Sequence, residues 1–83
     1  MLKKKKALLL ARFVVSHDKK IGESISFYKD LLIIRKGGKY YAIPMKHIEL
    51  KNDMLHLKGI IHWEKAEELA KEWKNAQNGN SNK

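Results

Sequence analysis

The chain reads as a mainly β domain, a small antiparallel barrel of five or six strands closed by one C-terminal amphipathic helix. Three observations predict this. Short apolar or alternating runs, each too short for a helix, are separated by closely spaced turn signals through residues 7–58. A Gly37-Gly38 pair sits between two such runs. Beyond residue 62 the apolar spacing changes from the strand period to the helical one.

The elements follow in order. Residues 7–15 read as a first strand, and the polar stretch 16–20 as a turn. Residues 21–28 alternate, with Ile21, Ile25 and Phe27 expected on one face and Ser24, Ser26 and Tyr28 on the other. Lys29-Asp30 is a tight connection, and Leu31–Ile34 is an apolar strand rich in β-branching. Gly37-Gly38 accepts the positive φ of a primed hairpin turn, so residues 39–43 form the return strand. Pro44 ends it, because proline has no amide to donate to a ladder. Met45-Lys46-His47 is a short turn, followed by a strand at 48–51, a turn at Asn52-Asp53 and a last strand at 54–58. Closure into a barrel would remove exposed edges.

Trp63, Ala66, Leu69, Ala70, Trp73 and Ala76 recur at helical spacing, with glutamates early and Lys74 late, as the helix dipole favours. This predicts a helix over about 63–76 that plugs an end or side of the barrel and buries both tryptophans. Residues 1–6, with four consecutive lysines, read as a disordered basic arm, and residues 77–83 as a disordered tail. The folded domain is then 7–76.

Eighty-three residues allow one domain with a thin core. The chain has no cysteine, hence neither disulfides nor thiolate metal sites, which fits a reducing, cytoplasmic setting. The lysine run and the leucines after it imitate a secretory signal, but Arg12 interrupts the apolar stretch and no small-residue cleavage site follows. No stretch is long enough to predict a membrane span.

Eighteen basic against nine acidic residues give a net charge of +9. Residues 62–83 hold four lysines and four glutamates, so the whole excess lies in residues 1–61. Such an excess points to a polyanion. The candidate nucleic-acid-binding residues are Lys3, Lys4, Lys5, Lys6, Arg12, Arg35, Lys36, Lys39, Tyr40, Lys46, Lys51 and Lys58. Lysine binds phosphate as a flexible point charge and reads no bases, and two arginines offer little groove recognition. Tyr40 and Tyr41 fall on opposite faces by alternation, so one is expected to be exposed beside the basic hairpin as a stacking platform. The pattern does not say which; Tyr40 stands as the candidate.

Catalytic signals are weak. His17, His47, His56 and His62 are scattered over turns and strands, and neither a nucleophile with its base nor a paired acid and base is recognisable. The chain therefore reads as a binding protein without catalytic residues, metal or cofactor.

Ile21-Gly22, the hairpin, Tyr41-Ala42-Ile43-Pro44 and Ile48 together resemble the PRC-barrel pattern, and the ending from Trp63-Glu64-Lys65-Ala66 to Trp73 is similar to small archaeal β-barrel proteins of that type. The resemblance spans residues 7–74. That superfamily includes a domain of the ribosome-maturation factor RimM and a domain of the photosynthetic reaction centre. It implies an SH3-like barrel used for docking to proteins or ribonucleoproteins, with no shared active site; Gly22 and Pro44 match as structural positions. The lysine arm lies outside the pattern and adds affinity for polyanions.

Together these readings favour an accessory component of a ribosome or other RNA–protein particle, contacting RNA phosphates in preference to DNA, with ribosomal proteins as neighbours. A protein–protein adaptor, monomeric or dimeric, that uses an exposed strand or the barrel mouth, a chromatin protein coating duplex DNA, and a peripheral protein held to anionic lipid by the arm are the alternatives.

Overall fold

The computed structural model describes residues 8–81. The expected arm at residues 1–6 and the last two residues of the expected tail lie outside the described residues. Six strands form in chain order: β1 (Phe13–Ser16), β2 (Lys19–Tyr28), β3 (Leu31–Lys36), β4 (Lys39–Pro44), β5 (Ile48–Lys51) and β6 (Met54–Leu57). A 3-10 turn, Met45–His47, joins β4 to β5, and the helix α1 spans Trp63–Ser81.

The hairpins are set by local backbone chemistry. His17-Asp18, Gly37-Gly38 and Asn52-Asp53 each place both central residues at positive φ, as a type I′ turn requires. Asn, Asp and Gly tolerate that region at low cost. The primed twist matches the twist of the flanking strands, which fixes three antiparallel pairings at once: β1 with β2, β3 with β4, and β5 with β6.

The six strands make one sheet in the order β4-β3-β2-β1-β6-β5. All neighbours are antiparallel except β1 and β6, which run parallel with Val14 beside Leu55 and Val15 beside His56. The expected antiparallel barrel, closed or nearly closed, is thus corrected in two respects. The sheet is mixed, and it has two ends, because β4 and β5 do not pair. It is nevertheless strongly curled. Six strands laid flat would place β4 and β5 about 24 Å apart. The chain passes from Pro44 to Ile48 through a three-residue turn, a path of at most about 14 Å. The two edges must therefore meet at that corner.

Two bulges in β2 supply the bend. The β1–β2 register passes from Val14↔Gly22 to Val15↔Lys20, which leaves Ile21 unopposed. The β2–β3 register passes from Ser24↔Ile34 to Ser26↔Ile33, which leaves Ile25 unopposed. Each extra residue bends the strand and increases its twist. Each also resets the facing of the residues that follow, so the expected simple alternation fails. Ile21 and Phe27 pack against one apolar cluster, and Ile25 and Tyr28 against the other.

Gly22 lies between these bulges. A Cβ at this position would stand 1.9 Å from the Arg35 carbonyl oxygen. The bend brings the β3 backbone so close that no side chain fits.

The first strand is shorter than expected and begins at Phe13. Ala11 has φ 58, which breaks the extended run, and the segment before it is tied down by Ser24. The Arg12 amide donates to Ser24 Oγ at 3.0 Å, and the Ser24 hydroxyl donates to the Leu9 carbonyl at 2.6 Å. The backbones of Ser24, Ala11 and Arg12 exchange two further bonds of 2.9 and 2.8 Å. Ser24 is the one buried polar residue among those described, and it is fully used.

The core has two parts, one on each side of the curled sheet. Val14, Leu32, Ile34, Tyr41, Ile43, Ile48 and Leu55 fill the inner side together with Ala66 of α1. Ile33 and Ala42 cover the outer side of β3 and β4 and meet Ala70 and Trp73. The helix packs on β4: Trp63 and Ala66 belong to the inner cluster, and Leu69, Ala70 and Trp73 to the outer one. It thus crosses the β4 edge and covers it. This explains why Leu32, Ile33 and Ile34 are consecutive and all fully buried. Trp73 is buried as expected, whereas Trp63 is half-buried at the rim, edge-on to Tyr41 at 5.1 Å. The helix continues to Ser81, so 77–81 are helical where a tail was expected. The lone Gly79 weakens a helix without terminating it.

Candidate nucleic-acid interface

The sequence-predicted basic residues fall into three groups. Lys3, Lys4, Lys5 and Lys6 lie outside the described residues. Arg12 and Arg35 are engaged within the fold. The Arg12 guanidinium bonds the Leu8 carbonyl and the Asp53 carbonyl, the latter at 3.1 Å, and lies 3.6 Å from the Asp53 carboxylate. It clamps the entering chain to the β5–β6 turn. Arg35 pairs at 2.7 Å with Glu23, its cross-strand neighbour. Arg12 is thus largely taken up by the fold, whereas Arg35 is half of a surface ion pair and stays open to solvent.

Lys36, Lys39 and Tyr40 come together at the β3–β4 hairpin. The register places Lys36 opposite Lys39, flanking the glycine turn. Two ammonium groups so placed repel, and the fold separates them. Lys36 Nζ lies over the rings of Trp63 and Tyr41, at 5.1 and 5.6 Å from their centroids. Lys39 Nζ reaches toward the Glu67 carboxylate at 3.8 Å. Tyr41 is buried and Tyr40 is half-buried. Tyr40 is not a free stacking platform: its ring meets Trp73 at 5.5 Å, and Lys74 Nζ lies 4.9 Å from its centroid.

The exposed residues Lys46, Lys51 and Lys58 lie elsewhere, on the 3-10 turn, on β5, and just beyond β6. Lys58 is held through its backbone: its amide donates to the His47 carbonyl at 2.9 Å, and its carbonyl lies 2.9 Å from His47 Nδ1. The described predicted residues are therefore spread over several elements, and only Lys36, Lys39 and Tyr40 share one hairpin.

What the structure adds is a cleft. Gly38, Lys39 and Tyr40 of the hairpin face Glu67, Ala70, Lys71 and Lys74 of α1 across an open volume of about 200 Å³. Three lysines converge there against one carboxylate. Lys71 and Lys74 are absent from the sequence-predicted residues because the helix sums to zero charge. A signal for them exists: 67, 70, 71 and 74 follow the helical i, i+3, i+4, i+7 pattern and flank the buried stripe. The cleft is smaller than the roughly 300–1,000 Å³ of small-molecule sites. It suits a phosphate group on a larger chain and does not enclose a whole nucleotide.

Among the described residues no group of three or more His, Asp or Glu side chains is placed to hold a metal ion. No helix among them is long and apolar enough to cross a membrane. Two buried ring nitrogens, His56 Nε2 and Trp73 Nε1, have no hydrogen-bond partner among the described residues.

Residues 10–79 match the model of a family of unknown function, DUF5749, and the chain belongs to that family. Comparison with curated proteins finds no match.

Proposed function

We propose that this protein is a non-catalytic nucleic-acid-associated protein that holds the phosphate backbone in the cleft between the β3–β4 hairpin and α1. The observation that carries the reading is the convergence of Lys39, Lys71 and Lys74 beside the Gly38 backbone. Lys36 extends the basic surface at the same hairpin, and the lysine-rich residues 3–6 add charge to the chain. The contacts available are point charges, so affinity is carried by phosphates and not by base identity. The likeness to the PRC-barrel pattern supports a docking module, and with the charge it favours an accessory component of a ribosome or other RNA–protein particle, with RNA preferred over DNA and ribosomal proteins as neighbours in the cytoplasm.

The test is binding of structured RNA, single-stranded RNA and duplex DNA, followed by fluorescence anisotropy over a salt series. Each phosphate neutralised contributes about −0.7 to −0.9 to the slope of log K against log salt. Replacing Lys39, Lys71 and Lys74 by alanine lowers affinity for every sequence alike and flattens the slope by two to three such increments. A flat salt response of the parent protein, or no binding at low salt, refutes the proposal. Preference for duplex DNA over structured RNA in competition would place the protein on chromatin instead.

A further inference from the structure

The two edges of the sheet are treated differently. The β4 edge is covered by α1. Among the described residues nothing covers the β5 edge: Glu49, Leu50 and Lys51 are all exposed past the corner at Ile48, and Leu50 is 44% exposed. An uncovered edge is a template for another strand.

The hydrogen-bond parity of this edge follows from its turn. The type I′ turn at Asn52-Asp53 makes Lys51 and Met54 a hydrogen-bonded pair. Pairs alternate along an antiparallel ladder, so Glu49 and His56 are bonded and Leu50 and Leu55 are not. The bond from the Lys58 amide to the His47 carbonyl continues the same alternation. Leu50 therefore turns both its N–H and its C=O away from β6, toward the open side. Ile48 turns the same way; its amide is taken by the Met45 carbonyl.

We propose that the β5 edge pairs antiparallel with β5 of a second copy of this chain, centred on Leu50. A two-fold contact can use only registers that bring outward-facing residues together. Centring on Glu49 would oppose two glutamates. Centring on Leu50 sets Glu49 opposite Lys51 of the second copy and Lys51 opposite its Glu49, two favourable pairs, and lays the exposed leucines side by side. Centring on Lys51 would oppose two lysines, and centring on Ile48 would need an amide already bonded to the Met45 carbonyl, so the strand is complementary to itself in the Leu50 register alone. A four-residue edge gives a small interface, so the dimer belongs to the weak, concentration-dependent class. Arg12 ties the chain to the β5–β6 turn of each copy, so the two Arg12–Asp53 contacts lie near one interface.

The experiment is sedimentation equilibrium of the full chain, freed of nucleic acid by nuclease, up to about millimolar concentration. Dimerisation of the parent is expected to weaken about tenfold or more in both Glu49→Lys and Lys51→Glu, since each turns two attractive pairs into repulsive ones. The double variant carrying both changes regains it. General repulsion between basic proteins predicts opposite effects for the two single changes, because they alter net charge in opposite directions. Leu50→Pro removes the outward amide without touching the β6 ladder and abolishes the dimer; circular dichroism confirms that it folds. A monomer at all concentrations, a dimer indifferent to the charge reversals, or no recovery in the double variant overturns the proposal. So does dimerisation that appears only after removal of residues 1–7, which would show that the chain's own N-terminal segment occupies the edge.

Discussion

Replacing Gly22 by alanine separates crowding from backbone conformation in this fold. The added Cβ would lie 1.9 Å from the Arg35 carbonyl oxygen, 2.9 Å from its carbon and 3.3 Å from Lys36 Cα. All three are backbone atoms, so no rotamer change relieves the clash. An ordinary carbon–oxygen contact needs about 3.3 Å, so β2 and β3 must part locally by roughly 1.4 Å. Overpacking of this kind costs about 1–3 kcal/mol, and one or two weakened ladder bonds add about 1 kcal/mol each. The sum, about 2–5 kcal/mol, is a large part of the roughly 4–12 kcal/mol expected for a domain of this size. It corresponds to a fall in Tm of about 8 °C or more. Gly37→Ala is the matched control. A Cβ there meets nothing within 4 Å, but φ is +58°, so its cost is conformational and about 1–2 kcal/mol. Thermal and urea unfolding, followed by circular dichroism, compare the two. If Gly22→Ala costs no more than Gly37→Ala, the close approach of β3 is not what makes glycine necessary at 22.

Ser24→Ala leaves the Arg12 amide and the Leu9 carbonyl without their hydroxyl partner. It should destabilise by about 1–3 kcal/mol in urea unfolding and raise amide exchange in residues 9–12. Glu67→Gln removes the carboxylate from the lysine cleft while keeping its shape. It should tighten RNA binding by a few-fold at low salt, with the gain fading as salt rises; weaker binding would mean that Glu67 orders Lys39 productively.

Much of the fold is legible in the sequence because its turns are local. His17-Asp18, Gly37-Gly38 and Asn52-Asp53 declare their hairpins through residues that accept positive φ, and Pro44 marks the corner. Registers are less legible. Nothing in the alternation of β2 announces that Ile21 and Ile25 stand unopposed, because a bulge reflects the curvature of the whole sheet and the demand of Ser24 for partners twelve to fifteen residues away. The parallel pairing of β1 with β6 joins segments some forty residues apart, and no local pattern encodes it. Closure is illegible for the same reason: many short strands imply strong curvature, but whether β4 meets β5 or meets a helix depends on the helix's own stripe. That stripe, from Trp63 to Trp73, lies on the β4 side and takes the place of the missing strand pair.

The candidate site shows what is lost when charge is counted by segment. Residues 62–83 sum to zero, and on that count the helix is neutral while the strands carry the excess. A helix presents charge by face. Packing of Ala70 and Trp73 on β4 fixes its rotation, and that rotation brings Lys71 and Lys74 to the hairpin cleft with Glu67 as the one carboxylate there. The acidic residues Glu64, Glu68 and Glu72 do not line this cleft. The same packing engages Tyr40 with Trp73 and lays Lys74 over its ring, so the tyrosine supports a cation where it was expected to receive a base. The burial that holds the helix on the sheet is therefore also what gathers Lys39, Lys71 and Lys74 at one cleft, the site proposed to hold phosphate. A variant that loosens the Trp73 contact should weaken nucleic-acid binding through residues it leaves chemically intact.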